Sequence, residues 1–473
     1  MHRPLEKGVQ FGPKGLPDPE LQTLQEQACR DTASHRPYVT FFFGGLLANR
    51  SSSMKIGFLC SEYFYYRTSE GKSVPTSCHG GFGVLTRKNA EGLSRLGHDV
   101  HVLIPAPSFE ATRNERRQFP IDGVTVHLFE YPQELEWRGY AHAVTSALRS
   151  AWASTRGRVP ALEEVMEEVD ADVYVSENPS LYSCAVPTRR ENHVLVFQDP
   201  WSVTDLNVLR RAAVDYARAG GANAPSRATI SGSPLPFYDS LTNLLGTALL
   251  RRLMRRIPMK CMFGEARCIS DRAQRLYRLP EMPDFLPNPI DVPESIPVKE
   301  DRAVVSWIGR WDPQKRVDIA LETARSCPEV EFFFIGSPTD RSDLRATAQT
   351  LEKRYARYEN IHVMRFVTEE EKNRILDRSW ILLNTSVREG LPITFLEAAA
   401  HGVSIIAPVD PDEYASKFGT FVPNGDFVGA IRQSVRQEDF RTSGQKGYEH
   451  VRRVHETNHV IQLHAEILSQ FSR

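Results

Sequence analysis

The sequence predicts an α/β protein of two doubly wound parallel-sheet domains facing across a cleft. Three observations carry that expectation. Buried-strand and helix patterns alternate from Lys55 onward, and strand, crossover helix and strand in turn make a parallel sheet. The same alternation restarts near residue 303. Between the two runs lies Leu286-Pro287-Asn288-Pro289-Ile290-Asp291-Val292-Pro293, whose prolines hold their predecessors extended and suit a linker between domains.

The elements follow in order. Residues 1–53 are rich in Pro, Gly, Gln and Ser without sustained periodicity, the composition of a disordered extension. Met54 then opens a strand over 55–60, and the folded chain is expected to begin there. A long polar loop ends in Gly80-Gly81-Phe82-Gly83, a helix runs from about Val84 to Leu96, and Gly97 stops it. Asp99 to Ile104 is the second strand; later strands are Val173–Val175 and Val194–Phe197. In the second half, Val304–Ile308 is a strand, 316–326 a helix, and Phe332–Ile335 a strand ending at Gly336. Further strands fall near 361–364, 380–384 and 403–407, and a helix at about 455–470 crosses back to the first half. The expected domains are 54–288 and 289–454, with 455–473 as the returning segment.

Composition narrows the function. Lys+Arg number 58 against Asp+Glu 59, so no global positive field exists to hold a nucleic acid. The cysteines are seven, with no C-x-x-C pair, which argues for reduced thiols rather than a disulfide framework or zinc site. The longest apolar run, Phe41 to Ala48, is well short of the ~18 residues that span a bilayer. A cytoplasmic protein is expected.

Open parallel sheets bind ligands beyond the carboxyl ends of their strands, so residues there carry the chemistry. Glu389-Gly390-Leu391-Pro392-Ile393-Thr394-Phe395-Leu396-Glu397 follows the strand Trp380–Asn384. Pro392 suits the first helical turn. Leu391, the expected N-cap, has no side-chain oxygen, so the first amides and the helix dipole are left for a phosphate. Glu389 precedes the helix and Glu397 lies amid apolar residues inside it; two capped-helix surface glutamates are the alternative. Gly309-Arg310 to Lys315-Arg316 follows another strand. A guanidinium fork and an ammonium there suit a diphosphate, the alternative being a solvated basic loop. Gly80-Gly81-Phe82-Gly83 permits close backbone approach but lacks the dinucleotide fingerprint G-x-G-x-x-G. Asp170-Ala171-Asp172 and Asp410-Pro411-Asp412 read as turns rather than metal ligands. Leu249 to Arg256, with four arginines, reads as a core-facing helix with a solvated basic side. Peripheral contact with an anionic membrane is its second reading.

Together these motifs resemble the family 4 retaining glycosyltransferases over about Met54 to the C-terminus. Glu389 to Glu397 followed by Ala398-Ala399-Ala400-His401-Gly402 is similar to the family's E-x7-E signature. Gly309-Arg310 to Lys315 resembles its phosphate clamp. Gly80-Gly81 and Gly97-His98-Asp99-Val100 resemble its first helix and second strand; Cys268-Ile269-Ser270 and Pro287-Asn288 fall where it has its last N-domain strand and its crossover. The resemblance implies the GT-B fold and a nucleotide-sugar donor bound mainly by the second domain. The acceptor, a glycan, lipid or small molecule, would be bound by the first. It implies that Arg310 and Lys315 hold the diphosphate, that Glu389 contacts the transferred sugar and Glu397 the ribose, and that Ile393 and Thr394 offer amides to phosphate. Gly81 and Gly83 would approach the donor from the other domain. The family transfers with retention, with no cofactor beyond the donor and no bound metal.

Three departures stand out. Where many members carry a His, this chain reads Gln198-Asp199-Pro200-Trp201; Gln198 can hydrogen-bond a sugar hydroxyl but cannot carry a proton, and Asp199 is left to orient the acceptor. Arg365 replaces a usual Gly, and Pro411-Asp412-Glu413 replaces a Gly-Gly turn. The competing functions are a GT-B epimerase or phosphorylase, or a catalytically silent sugar-nucleotide binder. Deleting residues 1–53 is expected to leave melting temperature and activity unchanged, because the composition shifts to a folding pattern at Met54; a large loss of either contradicts the reading.

Overall fold

The computed structural model describes residues 53–60, 64–69, 72–77, 81–106, 118–130, 159–180, 192–221, 236–336, 342–365 and 367–472. The extension expected at 1–53 therefore lies, but for Ser53, outside the described residues. The first domain holds β1 (Lys55–Leu59), β2 (Phe64–Ser69), β3 (Lys72–Ser77), α1 (Gly81–Arg95), β4 (Asp99–Ala106), β5 (Gln118–Ile121) and β6 (Val124–Glu130). It continues with α2 (Pro160–Val169), β7 (Val173–Glu177), β8 (His193–Phe197), α3 (Val203–Ala219), α4 (Pro236–Met254), β9 (Met262–Gly264), α5 (Arg267–Tyr277) and β10 (Asp284–Phe285). The second domain holds β11 (Val304–Ile308), α6 (Val317–Arg325), β12 (Glu331–Ile335), α7 (Ser342–Tyr355), β13 (Ile361–Met364), α8 (Glu369–Arg378) and β14 (Ile381–Leu383). Then come α9 (Ile393–Ala400), β15 (Ser404–Ala407), α10 (Tyr414–Phe418), β16 (Gly419–Phe421), α11 (Phe427–Gln437), α12 (Asp439–Val454) and α13 (Thr457–Ser469).

Two parallel sheets result. The first runs β10-β9-β8-β7-β1-β4-β6-β5, with only β5 antiparallel to its neighbour; the second runs β13-β12-β11-β14-β15-β16. Strands covered on both faces by helices read as continuous apolar runs. Val304-Val305-Ser306-Trp307-Ile308 and Ser404-Ile405-Ile406-Ala407 are buried along nearly their whole length. Gly97 ends α1 at φ 93°, the left-handed stop expected of it. At Gly336 a side chain is impossible: φ is 135°, and an added Cβ would sit 1.9 Å from the Gly309 carbonyl oxygen. That close approach packs the end of β12 against the loop that follows β11.

Several expectations are corrected. The long polar loop before α1 contains the antiparallel hairpin β2–β3, whose strands show no alternation of apolar and polar residues. The first helix begins at Gly81, three residues earlier than expected. Cys268-Ile269-Ser270 is not a strand. It lies in α5, directly after the short β9, and the first two amides of that helix are capped from the other domain by Asp412. The helix after β14 takes Pro392, not Leu391, as its N-cap. The basic cluster is divided as expected: Leu253 and Met254 are buried while Arg255 and Arg256 face solvent. No helix among the described residues is long and apolar enough to cross a membrane.

The chain passes between domains twice, and the two passages bond to each other. Ile290 N donates to His455 O at 2.7 Å, and Thr457 N donates back to Ile290 O at 3.0 Å. His455 Nδ1 donates to Asn288 O at 2.9 Å, and His464 Nε2 to Pro287 O at 3.0 Å. Beyond this crossing, α13 seats Ile461, Ala465, Ile467 and Leu468 in the core of the first domain. Gly92 of α1 makes room, since a Cβ there would stand 2.6 Å from Ile461. In the opposite sense, α3 inserts Tyr216 into the core of the second domain. Truncating Ile461 to alanine is expected to destabilise the protein by about 2–5 kcal/mol, the range for emptying a buried aliphatic site; equilibrium denaturation reads it, and an unchanged midpoint contradicts the account of α13.

Candidate active site

The carboxyl ends of the second sheet supply two loops that are zipped together. After β11, Asp312 organises a turn: its Oδ1 accepts from the Lys315 amide at 3.0 Å, and its Oδ2 accepts from Arg310 Nε at 3.1 Å. After β14, Thr385 Oγ1 donates to the carbonyls of Lys315 and Arg316, and Val387 N donates to Gln314 O at 2.9 Å. These bonds bring Lys315 Nζ to 2.5 Å from Glu389 Oε1, with Asn384 Nδ2 donating to the same oxygen at 3.3 Å. Burial alone would raise the Glu389 pKa; the Lys315 ammonium and the neighbouring donors outweigh it and leave the carboxyl below its usual value. Glu389 is therefore a buried, ionised carboxylate.

Just beyond it α9 begins with an uncapped N-terminus. Ile393 and Thr394 form its first turn and are partly exposed. The dipole and unpartnered amides of such a turn attract an anion. Glu397, one turn further and buried, pairs with Lys372 Nζ of α8 at 2.7 Å. Lys315, Glu389, Ile393, Thr394 and Glu397 thus surround the start of one helix. Arg310, half exposed, lies on the facing loop. Gly81 and Gly83 lie in the first turn of α1.

The first domain contributes differently from expectation. Gln198 is buried, and its Nε2 donates to Glu177 Oε2 at 3.2 Å. Asp199 is also buried and engaged at both oxygens: Oδ1 by Arg272 Nη1 at 3.2 Å, Oδ2 by Arg388 Nη1 at 2.7 Å and by Trp201 Nε1 at 2.9 Å. Both side chains expected to face an acceptor are turned into the protein. Of the two acidic triplets, Asp172 accepts from the Lys55 amide, Asp410 from the Ala415 and Ser416 amides, and Asp412 from the Arg267 and Cys268 amides. Asp410's contacts are local to the turn expected of it, whereas Asp172 and Asp412 bind amides 117 and 144–145 residues away. Arg365 pairs with Glu352 on the surface.

Residues that sequence reasoning missed are the partners: Asn384, Lys372, Arg272, Arg388, Glu177 and Glu265. Arg388 sits beside Glu389 in the sequence, which was an available signal. Glu177 and Glu265 stand at the ends of β7 and β9 without any motif.

The two facing parallel sheets define a GT-B fold. Residues 302–437 match the model of the family described as glycosyl transferases group 1. Among solved structures, sucrose-phosphate synthase from Thermosynechococcus elongatus superposes with a TM-score of 0.60 at 14% identity, covering 88% of this chain and 98% of that one. HepE from Anabaena, solved in complex with UDP and glucose, gives 0.54 at 12%, covering 88% and 99%. WaaG, a glycosyltransferase involved in lipopolysaccharide biosynthesis, gives 0.53 at 17%, covering 87% and 99%. At the sequence level no curated protein matches the chain.

Under the cleft, Glu177 and Glu265 form a buried acidic pair. Burial pushes Glu177 up to about 7, against hydrogen bonds from Thr86, Asn89 and Gln198; burial and then the neighbouring Glu177 push Glu265 up to about 8. In the unfolded chain such carboxyls titrate near 4.5. Between those values the folded protein holds protons that the unfolded chain has released, so this pair's stability contribution is greatest in acid and declines as pH rises through about 8. Replacing Glu177 with glutamine removes part of that slope. The stability of the variant relative to the parent is expected to rise between pH 4.5 and 8, as read by denaturant midpoints; a difference that is flat with pH contradicts it.

Proposed function

We propose that the chain is a retaining, metal-independent glycosyltransferase that moves a sugar, a hexose in our reading, from a nucleotide-sugar donor to a glycan, lipid or small-molecule acceptor. One observation carries this: the ionised Glu389 lies 2.5 Å from the Lys315 ammonium beside the uncapped start of α9. The group 1 match over 302–437 covers this site, and the HepE structures hold UDP or UDP-glucose in the same fold. The donor diphosphate lies at the amides of Ile393 and Thr394, with Arg310 and Lys315 supplying positive charge. That charge stabilises the nucleoside diphosphate as it leaves. Glu397 and Lys372 lie one turn deeper, where the ribose is held. Glu389 faces the anomeric carbon, where positive charge grows as the bond to phosphate breaks. A phosphate oxygen of the departing diphosphate takes the acceptor's proton, so no protein nucleophile is required.

A silent sugar-nucleotide binder is the second reading, favoured by Gln198 at a place where an imidazole is common in similar enzymes. Incubation with a panel of nucleotide sugars separates the two, because a transferase leaks slow donor hydrolysis and a binder does not. On the transferase reading, Glu389→Gln is expected to lower kcat by about 10²–10³, the cost of one electrostatic stabiliser. Glu397→Gln is expected mainly to raise donor KM, by about 10- to 100-fold, since an interaction equal in ground and transition states leaves kcat alone. Wild-type kcat in Glu389→Gln, or unchanged donor KM with lost kcat in Glu397→Gln, contradicts the assignment.

A further inference from the structure

Arg388 belongs to the second domain by sequence, yet its side chain is 3% exposed and is seated wholly in the first. Nη1 reaches Asp199 Oδ2 at 2.7 Å, Nε reaches Asp205 Oδ1 at 2.6 Å, and Nη2 donates to Pro200 O at 2.7 Å. The guanidinium carbon stands 4.2 Å from the centroid of the Trp201 ring. The socket is stiff: Asp205 closes a capping box with Ser202 at the start of α3, and Trp201 is bonded to Asp199. A second cation, Arg272 of α5, bonds Asp199 Oδ1 and also donates to the backbone carbonyl of Glu389 at 3.1 Å. The next residue, Gly390, passes so close that an added Cβ would lie 3.1 Å from the Gln198 carbonyl. The first domain therefore grips the chain at 388, 389 and 390. The carboxylate of Glu389 is held from the other side, by Lys315 and Asn384.

We infer that Arg388 is a positioning residue, through which the first domain fixes the Glu389 carboxylate for transfer only while the two domains are together. The inference rests on the transferase reading of the cleft. Two guanidiniums face two carboxylates in this cluster, so the charges balance; a merely structural bridge would also balance them, but would not need to sit next to the reacting carboxylate. Lysine cannot replace arginine here, because an ammonium offers neither the planar fork nor the stack on Trp201.

The test uses whichever nucleotide sugar of the panel the wild-type protein hydrolyses fastest. Arg388→Lys is expected to lower kcat by about 10- to 100-fold, as expected when a reacting group is misplaced by a fraction of its working distance, with little change in donor KM. In a Glu389→Gln background the same substitution is expected to cost little more, because residues acting as a unit are not additive. Asp205→Asn, which loosens the socket and leaves Arg388 in place, serves as the second variant should Arg388→Lys fail to fold. It is expected to lower kcat in the same direction. Wild-type kcat in Arg388→Lys or in a folded Asp205→Asn, or a loss that multiplies fully with that of Glu389→Gln, overturns the positioning role alone. Absence of any donor turnover by the wild-type protein overturns the transferase reading and this inference with it.

Discussion

The cleft depends on a paired crossing. The chain leaves the first domain at Pro287–Ile290 and returns at His455–Thr457, and the two passages hydrogen-bond side by side. A single linker of this length would leave two domains free to turn about it. Two bonded passages, with α13 then buried in the first domain's core, fix which edge of each sheet faces the other. Only with that edge fixed can an arginine two residues after Ser386 find its socket at Asp199 and Asp205.

Charges inside the cleft are arranged in opposed groups. Lys315 faces Glu389, Lys372 faces Glu397, and Arg272 and Arg388 face Asp199 and Asp205. Buried pairs of this kind contribute little net stability, since desolvation offsets most of the attraction, yet losing one partner is costly. Their effect is geometric. Lys315 with Glu389 ties together the loops after two strands, Lys372 with Glu397 ties together two helices, and the pairs that Arg388 makes with Asp199 and Asp205 tie together the two domains.

The architecture was legible because its signals are periodic and local. Buried parallel strands announce themselves as apolar runs, as at Val304–Ile308, and the proline-rich stretch at 286–293 marks the passage between domains. In the second-domain half of the candidate site, Lys315, Glu389 and Glu397 were named from the sequence, and the fold brings them together at the start of α9. What failed to show depends on long-range pairing. Asp199 reads as a free carboxylate until Arg388, 189 residues away, is brought to it. Asp412 reads as a turn residue, which it is, but its capping of α5 is 145 residues distant. Cys268-Ile269-Ser270 falls, by resemblance, where a strand is expected, yet it lies in a helix whose first two amides are capped from the other domain. The hairpin β2–β3 escaped notice because neither Phe64–Ser69 nor Lys72–Ser77 alternates apolar and polar residues.

Each domain completes the other's interior. Tyr216, on a first-domain helix, is fully buried among second-domain residues such as Trp307 and Phe334, and α13, which follows the second domain, fills the face of the first sheet over Ile56, Phe58 and Val175. Neither half thus closes its own core. During synthesis the first domain emerges before the helix 457–469 that completes the cover α1 begins over Ile56 and Phe58, and before the seat of Tyr216 has formed. The two halves should accordingly gain and lose structure in one cooperative transition rather than as separate bodies.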